Sequence, residues 1–213
     1  MTTRLILASS SPRRAEILTA LGIPFRVSPV DVDESVLPGE TGPAAASRLA
    51  GAKAASASLR HPRDWVLAAD TLVLLDGAVL GKPRDDGEAG EMLRRLSGRE
   101  HRVVTAVRLT RGTGRGQEEI EESRVRIAPL DEEEIRWYVS TGEPLDKAGA
   151  YAVQGLGARF IESVQGSFTN VMGLPARSVY RLLRAAPDPV LGRLALASGP
   201  VSSRTSGSPP RKG

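Results

Sequence analysis

A run of hydroxyl and guanidinium side chains follows the first apolar segment of the chain. The run is Ser9-Ser10-Ser11-Pro12-Arg13-Arg14, directly after the apolar residues 5–8. Ser11 is a favoured N-cap residue and Pro12 a favoured first helical residue, so a helix is predicted to begin here. The N–H groups at a helix start attract anions, and hydroxyl and guanidinium groups add donors for phosphate oxygens. The run therefore indicates a phosphate site, although a plain capped helix with two solvated arginines would show the same residues.

Carboxylates in two places could supply a base or metal ligands. Asp70, followed by Thr71, interrupts the apolar residues 66–75, and a lone buried carboxylate is costly unless it is paired or binds a metal. Asp33 and Glu34 lie in an acidic loop over residues 30–42 and offer the hard oxygen ligands that magnesium and manganese prefer. The alternatives are an aspartate that caps a turn between two strands and a charged loop that is simply solvated.

Two further polar residues stand among glycine, proline and small side chains. Lys82 lies between Gly81 and Pro83, where a fixed point charge would suit a phosphate group. Gln154 lies among small and apolar residues, and its amide could recognise the edge of a base by donating and accepting hydrogen bonds. A loop lysine before proline and a glutamine bonded to backbone groups remain the ordinary alternatives.

The elements that must position these residues alternate between strands and helices. Strands are predicted over residues 5–8, 66–69, 72–75, 103–109, 123–128 and 160–164, and helices over 13–21, 43–59, 86–96, 131–142 and 175–185. Asp76-Gly77 is a hairpin-turn signal, and Asp131 with Glu134 indicates a capping box. The polar pair at residues 70–71 is expected to separate two strands. The pattern predicts an α/β fold with a mixed sheet.

The positive charge is concentrated at the C-terminal end. Of the net charge of +4, residues 187–213 carry +3, from four basic residues and one acidic residue. The nearly neutral remainder lacks the broad basic face of duplex-binding proteins, and eight aromatic residues offer little for stacking on single strands. Residues 1–186 are expected to form one domain, and the Pro-, Gly-, Ser- and Arg-rich residues 187–213 a disordered basic tail. Nucleic-acid binding through that tail alone is left as an alternative.

Several classes of protein are excluded by what the sequence lacks. Zero cysteines exclude disulfides, thiolate metal sites and a cysteine nucleophile, and two histidines argue against a histidine-rich zinc site. No apolar run approaches 18 residues and no signal peptide is evident, so a cytoplasmic protein without a membrane partner is expected. The sequence contains neither a Walker-type phosphate loop nor a Gly-x-Ser-x-Gly nucleophile motif.

At these residues the chain resembles the Maf family of nucleotide pyrophosphatases. The resemblance covers roughly residues 5–185, with the family's markers present as LASSSPRRAEIL, VDES, AADT, GKP, LSGREH, LDKAGAYAVQG and VMGLP. It implies a mixed twisted sheet flanked by helices, in an elongated two-lobed shape with a central cleft, as in inosine triphosphate pyrophosphatases. It also implies a divalent metal, Mg or Mn, and attack of water on the α-phosphorus with pyrophosphate as leaving group.

The resemblance assigns roles to individual residues. Asp70 matches the general base and, together with Glu34, a metal ligand. Arg13, Thr71 and Gln154 match the trio of the subgroup that acts on dTTP and UTP, whereas the sister subgroup acting on 7-methyl-GTP has tryptophan, glutamine and glutamate there. The remaining matches, around the phosphates and metal, are Ser9, Ser11, Arg14, Lys53 and Lys82. One departure is Ala52, where many relatives have glutamate, and metal coordination would then depend more on Glu34 and Asp70.

These matches lead to the function expected from the sequence. The chain is expected to hydrolyse nucleoside triphosphates, dTTP and UTP or modified pyrimidine nucleotides, in nucleotide-pool housecleaning and cell-division arrest. The alternative is a non-catalytic nucleotide-binding regulator of septum formation, for which Asp70 would not be required. A homodimer is left open, and no nucleic-acid partner is expected.

Overall fold

Strands and helices alternate along the part of the chain that the computed structural model describes, residues 5–112, 114 and 116–188. The strands are β1 (Leu5–Leu7), β2 (Arg26–Val27), β3 (Trp65–Leu75), β4 (Ala78–Leu80), β5 (Glu100–Arg111), β6 (Gln117–Ile127) and β7 (Ile161–Gln165). The helices are α1 (Pro12–Ala20), α2 (Gly42–Arg60), α3 (Asp86–Leu96), α4 (Glu132–Ser140), α5 (Phe168–Val171) and α6 (Ala176–Ala185). Short 3₁₀ turns cover Glu143–Asp146, Ala148–Ala150 and Leu156–Phe160.

All the strands named above belong to one mixed sheet. Its order is β2-β1-β3-β5-β6-β7, with β4 paired to β3 off this path. β1 runs parallel to β2 and β3, and the other pairings are antiparallel. The mixed α/β fold expected from the sequence is therefore confirmed.

The separation of two strands at residues 70–71 was a wrong prediction. β3 runs unbroken from Trp65 to Leu75, and Asp70 and Thr71 pair with Ala106 and Thr105 of β5. The backbone ladder to β5 is continuous, so the polar side chains need not end the strand. The two polar side chains instead indicate a part of β3 that does not pack only against the apolar core.

The other edge of β3 has a gap opposite these two residues. β1 pairs with β3 at residues 65–67, and β4 pairs with it at residues 73–75. Between them, within the described residues, no strand pairs with that edge of β3 at residues 68–72. β1 is parallel and β4 antiparallel to β3, so the chain leaves both strands towards the gap: Ser9 follows β1, and Lys82 follows β4. The topology thus brings the serine-arginine run and Lys82 to Asp70.

The two faces of β3 are covered differently because successive side chains point to opposite faces. On one face α2 packs its alanines against the even-numbered positions of β3, in clusters that include Val66, Ala68, Leu72 and Leu74. On the other face one cluster joins Leu67 to α1 and α6, and a second joins Val73 and Leu75 to α3 and α4. Asp70 therefore faces α2, whereas Thr71 lies on the opposite face, between the two clusters.

The local signals for caps and turns are confirmed. Thr41 caps α2 by accepting from the N–H of Ala44, and Asp131 and Glu134 form a complete capping box at α4. Asp76 and Gly77 both have positive φ, 52° and 81°, as the predicted tight hairpin requires. No helix in the described part of the chain has the length and apolar character needed to cross a membrane. Of the expected tail, residues 189–213 lie outside the described residues.

Burial of His101 leads to a prediction for stability. This β5 residue is 2% exposed, and its Nε2 lies 2.7 Å from the hydroxyl of Tyr151. Burial lowers the pKa of His101 to about 4. The unfolded chain, with a histidine pKa near 6.5, binds the extra proton first, so stability is lost as pH falls from about 6.5 to about 4. We expect this one group to lower the free energy of unfolding by on the order of 3 kcal/mol between pH 7 and pH 4.

Urea unfolding of His101→Gln across this pH range checks the expectation. The variant keeps a polar group near Tyr151 but does not titrate, so its stability should fall less steeply than that of the wild type. His61→Gln is the matched control, because His61 is only partly buried. Equal slopes for wild type and His101→Gln would contradict the assignment.

Candidate active site

A cleft of about 280 Å³ opens at the gap beside β3. Its walls come from the start of α1, the acidic loop, α2, the segment after β4 and the segment containing the second 3₁₀ turn. Ten of the residues expected from the sequence line it: Ser9, Ser11, Arg13, Arg14, Glu34, Lys53, Asp70, Thr71, Lys82 and Gln154. Asp33, the other carboxylate offered as a metal ligand, does not line the cleft, and its Oδ1 accepts from the N–H and the hydroxyl of Ser35. Side chains separated by up to 145 positions in sequence, from Ser9 to Gln154, thus lie around one cavity.

The centre of the cleft is an ion-pair network around Lys53. Its ammonium lies 2.6 Å from Oδ1 of Asp70 and 2.5 Å from Oε1 of Glu34. The side chains of Lys53 and Asp70 are only 9% and 7% exposed, whereas that of Glu34 is 49% exposed. Lys82 approaches the same glutamate, with Nζ 3.6 Å from Oε2. α2 therefore carries a buried cation, Lys53, that is bonded to the buried Asp70 and the half-exposed Glu34.

The pKa values of the two carboxyls move in opposite directions. Burial raises the pKa of Asp70 and outweighs the opposing charge and hydrogen bond of Lys53 and the charge of Arg14. The charge of Glu34 adds to the rise in the pKa of Asp70, but burial is the larger cause. For Glu34, burial is outweighed by the hydrogen bond and charge of Lys53, and the net effect lowers its pKa. The two carboxyls that contact the Lys53 ammonium thus differ in basicity. Such a difference is what allows one carboxyl of a pair to serve as the base.

The start of α1 leaves serine hydroxyls facing the cleft. Ser11 is the N-cap, as expected, but its hydroxyl makes no capping bond to the described residues. Its backbone N–H instead donates to Oγ of Ser9 at 3.2 Å. Within the cleft these groups and the positive end of the helix form a surface suited to an anion.

Arg14 is held in place by three acceptors. Its guanidinium donates to the carbonyl of Gly173 at 2.8 Å, to Oγ of Ser9 at 3.1 Å and to Oγ1 of Thr71 at 3.2 Å. Burial lowers the pKa of Arg14, while the charges of Asp70 and Glu34 oppose that shift. Of the five N–H groups of a guanidinium, three are used in these bonds, so Arg14 presents a fixed cation to the cleft.

Thr71 serves mainly as a link in this network. Besides the bond from Arg14, its Oγ1 lies 3.0 Å from Oγ1 of Thr105 and 3.3 Å from the carbonyl of Gly173. The hydroxyl is therefore fixed by protein groups on three sides. Thr71 also lines the cleft, so both its own surface and its contact with Arg14 are available to affect substrate choice.

Gln154 occupies the opposite wall. It is exposed, lines the cleft, and its side chain makes no hydrogen bond to the described residues. A glutamine satisfied by backbone groups, the alternative left open by the sequence, is therefore not what the structure has at this position. The amide is free to donate to and accept from a ligand.

The structure adds two charged residues that the sequence reasoning did not single out. Asp146 lies 3.6 Å from Nη1 of Arg13 and forms an ion pair with Lys147, which also donates to the carbonyl of Glu143 at 3.2 Å. Both residues line the cleft. Both lie in the LDKAGAYAVQG segment, in which the sequence pointed to Gln154 alone. The contact of Asp146 with Arg13 of α1 becomes visible only in the fold.

The carboxylates of the cleft offer few ligands for a divalent metal by themselves. In the described part of the chain no group of three or more Asp, Glu, His or Cys side chains could hold a metal by itself. Mg²⁺ is commonly held by one or two carboxylates together with phosphate oxygens and water, and Glu34 and Asp70 meet around one cation, the Lys53 ammonium. The residues fit an ion that is completed by a phosphate ligand. Ala52 is exposed and does not line the cleft, so these two carboxylates carry the candidate site.

The chain is similar over most of its length to proteins of one family. Residues 4–186 match the model of the family described as Maf-like protein. The dTTP/UTP pyrophosphatase of Symbiobacterium thermophilum is 50% identical over 190 residues, covering 88% of this chain and 96% of that protein. That of Myxococcus xanthus is 50% identical over 189 residues, covering 88% and 95%. Among solved structures, a HAM1 protein from Coxiella burnetii is 18% identical, covers 91% of this chain and 97% of that chain, and has a TM-score of 0.46.

Proposed function

This chain belongs to the Maf-like protein family, and on that premise we propose that it hydrolyses dTTP and UTP to the monophosphate and pyrophosphate. The relatives named dTTP/UTP pyrophosphatase support the substrates. The observation that carries the proposal is the buried Asp70 carboxylate, bonded to Lys53 at the centre of a cleft lined with cations. A carboxylate at this place offers a base for the attacking water, which binding of a nucleotide alone does not require.

The triphosphate would lie against the start of α1. Ser9, Ser11 and the helix N-terminus offer hydrogen-bond donors, and Arg13, Arg14 and Lys82 offer positive charge. Most of the rate enhancement in phosphoryl-group substitution comes from positioning and from neutralising charge. The three hydrogen bonds of Arg14 suit the first task, and the 60% exposed Lys82 side chain suits the second.

Asp70 would accept the proton of the attacking water. Its carboxylate is oriented by the bond from Lys53, and its raised pKa brings it closer to the range of an efficient base. Glu34 and Asp70 would hold Mg²⁺ or Mn²⁺ together with phosphate oxygens, and the ion would offset charge on the leaving pyrophosphate. Lys53 keeps the two carboxylates at a fixed separation.

Gln154 would recognise the base. Uracil and thymine present an N–H donor beside carbonyl acceptors, a pattern that one carboxamide matches with its own acceptor and donor. Cytosine presents the reverse pattern at the same edge. A carboxamide that keeps one orientation can therefore distinguish these bases much more strongly than an apolar pocket can, whereas one turned by about 180° would match cytosine instead.

A nucleotide panel tests the proposal. Purified protein is incubated with Mg²⁺ or Mn²⁺ and with UTP, dTTP, CTP, ATP or GTP, and pyrophosphate and orthophosphate are followed separately. Pyrophosphate release from UTP and dTTP, well above that from the other nucleotides, is the expected result. Orthophosphate and diphosphate as products, or no turnover of any nucleotide, would overturn the proposal. We place this activity in the cytoplasm, where the nucleotide pool is found.

Removal of the C-terminal segment tests the proposed domain boundary. Asp188 accepts from Nε1 of Trp65 at 3.2 Å and lies 3.6 Å from Nη1 of Arg111, so the cut belongs after Asp188 rather than before Pro187. A chain ending at residue 188 is expected to keep the turnover and melting temperature of the full chain. A large loss of either would show that residues 189–213 belong to the domain.

A further inference from the structure

A tyrosine and a glutamate lie directly behind the segment that carries Gln154. Tyr138 is in the last turn of α4 and fully buried, and Glu143 begins the 3₁₀ turn that follows. The Tyr138 hydroxyl donates to Oε1 of Glu143 at 2.7 Å. The Tyr138–Glu143 pair is therefore a fixed unit, built from residues close in sequence and separate from the catalytic carboxylates.

This pair binds the backbone on both sides of Gln154. Before it, the N–H of Ala152 donates to the Tyr138 hydroxyl oxygen at 3.1 Å. After it, the N–H groups of Leu156 and Gly157 donate to Oε2 and Oε1 of Glu143 at 2.9 and 3.0 Å. Three amides within six residues are thus fixed to one Tyr–Glu unit.

The contact leaves no room for a Cβ at Gly155 or Gly157 unless the neighbouring atoms shift. A Cβ placed on Gly155 would lie 2.3 Å from Oε2 of Glu143, and one on Gly157 would lie 2.5 Å from the Tyr138 hydroxyl. Neither distance is possible between real atoms. The backbone next to Gln154 therefore packs directly against the Tyr138–Glu143 pair, and contacts with the pair fix the position of that backbone.

The charge of Glu143 suits this task. Burial by itself raises the pKa of the Glu143 carboxyl, but the bonds from Leu156, Gly157 and Tyr138 outweigh burial and lower it. The ionised carboxylate has acceptors only, so it satisfies all three donors at once, as a neutral amide cannot. Bonds from N–H groups to a charged carboxylate are also stronger than neutral ones.

We propose that Tyr138 and Glu143 are positioning residues for base selectivity, which hold the Gln154 amide at the place where it meets the pyrimidine. The proposal rests on the proposed function of Gln154. Because the Gln154 side chain has no bond to the described residues, its location depends on the backbone that carries it. Recognition of a base by hydrogen bonds requires that this backbone stay in place to well under an ångström.

Two conservative variants test the pair. Glu143→Gln keeps the shape but turns one acceptor into a donor, and Tyr138→Phe removes the hydroxyl between Ala152 and Glu143. Affinities for non-hydrolysable α,β-methylene analogues of UTP and CTP are measured on the same preparations, so that unfolded protein cancels in their ratio. Glu134→Gln is the matched control, since that carboxylate also accepts a backbone N–H, that of Asp131, at the far end of α4.

We expect the preference for the UTP analogue to fall about 10-fold in both variants, less than the ~10²-fold that a full ångström of misplacement costs. The turnover number on UTP should change less than its KM, and Glu134→Gln should match the wild type. Gln154→Ala is expected to lower the preference without abolishing it. Adding Glu143→Gln to it should then cause no further loss of preference beyond about twofold, because both changes act through one contact.

A UTP preference within about twofold of wild type in both Glu143→Gln and Tyr138→Phe would overturn the proposal. So would a further loss of preference when Glu143→Gln is added to Gln154→Ala. Failure of the proposed function would be seen separately, as absence of pyrophosphate release by the wild type. Binding of the analogues does not need hydrolysis, so it decides the role of the pair in that case as well.

Discussion

Asp70→Asn is expected to lower UTP turnover by about 10²–10⁴-fold, the usual contribution of a general base. The amide keeps the shape of the side chain and can still occupy the place beside Lys53, but it cannot accept a proton from water. Nucleotide affinity should be retained or increase, because a negative charge facing the triphosphate has been removed. Lys53 keeps Glu34 as a partner, so the folded protein should persist.

Turnover at saturating metal, measured alongside nucleotide affinity, decides between the roles of Asp70. Recovery of the rate at high metal concentration would make it a metal ligand only. Loss of stability with normal turnover would make it a structural residue. Asp76→Asn is the control, since Asp76 is an exposed turn residue outside the cleft at a position that asparagine tolerates. Near-wild-type turnover of Asp70→Asn would contradict the proposed base.

Lys53→Met is expected to have the second-largest effect, on both turnover and stability. It removes the ammonium that bonds Asp70 and Glu34 and leaves a buried carboxylate without its cation. Removing one partner of a buried ion pair costs about 3–5 kcal/mol, and we expect the lower end because Glu34 remains half exposed. Turnover of the folded protein should fall about 10²-fold, since the base loses its orientation.

Denaturant unfolding and steady-state kinetics of Lys53→Met check this expectation. Lys82→Met is the comparison, because the Lys82 side chain is 60% exposed and its ammonium makes a longer contact, 3.6 Å, with the same glutamate. That change should alter the free energy of unfolding by less than about 0.5 kcal/mol and act mainly on KM. Equal stability losses for the two lysines would show that Lys53 is not the buried centre of the site.

Local sequence signals were sufficient for most of the elements. Ser11-Pro12, Thr41 and Asp131 mark the starts of α1, α2 and α4, and Asp76-Gly77 marks the hairpin turn between β3 and β4. Each signal acts through backbone groups a few residues away, so it is visible in the sequence. The two-residue strand β2 is too short to show a periodic pattern and depends on its pairing with β1. The helix α5 has a capping residue, Ser167, but its four residues are too few for a helical pattern to be read from the sequence.

The residues of the site could be predicted from the sequence, but the contacts between them could not. Chemical type and the family markers single out Asp70, Lys53 and Gln154, and the structure places them around one cleft. The unbroken course of β3 depends on its ladder to β5, which no pattern around residue 70 reveals. The bond from Arg14 to Thr71 and the Tyr138–Glu143 pair likewise depend on tertiary contacts. The catalytic and binding roles themselves stay predictions until they are measured.

The position of the bond that is cleaved tests the central claim most directly. UTP is hydrolysed in water enriched in the heavy oxygen isotope, and the products are separated and weighed by mass spectrometry. Attack on the α-phosphorus, with Asp70 accepting the proton of water, places the heavy oxygen in the monophosphate and none in the pyrophosphate. Heavy oxygen in pyrophosphate or in orthophosphate would mean attack at the β- or γ-phosphorus and would contradict the account.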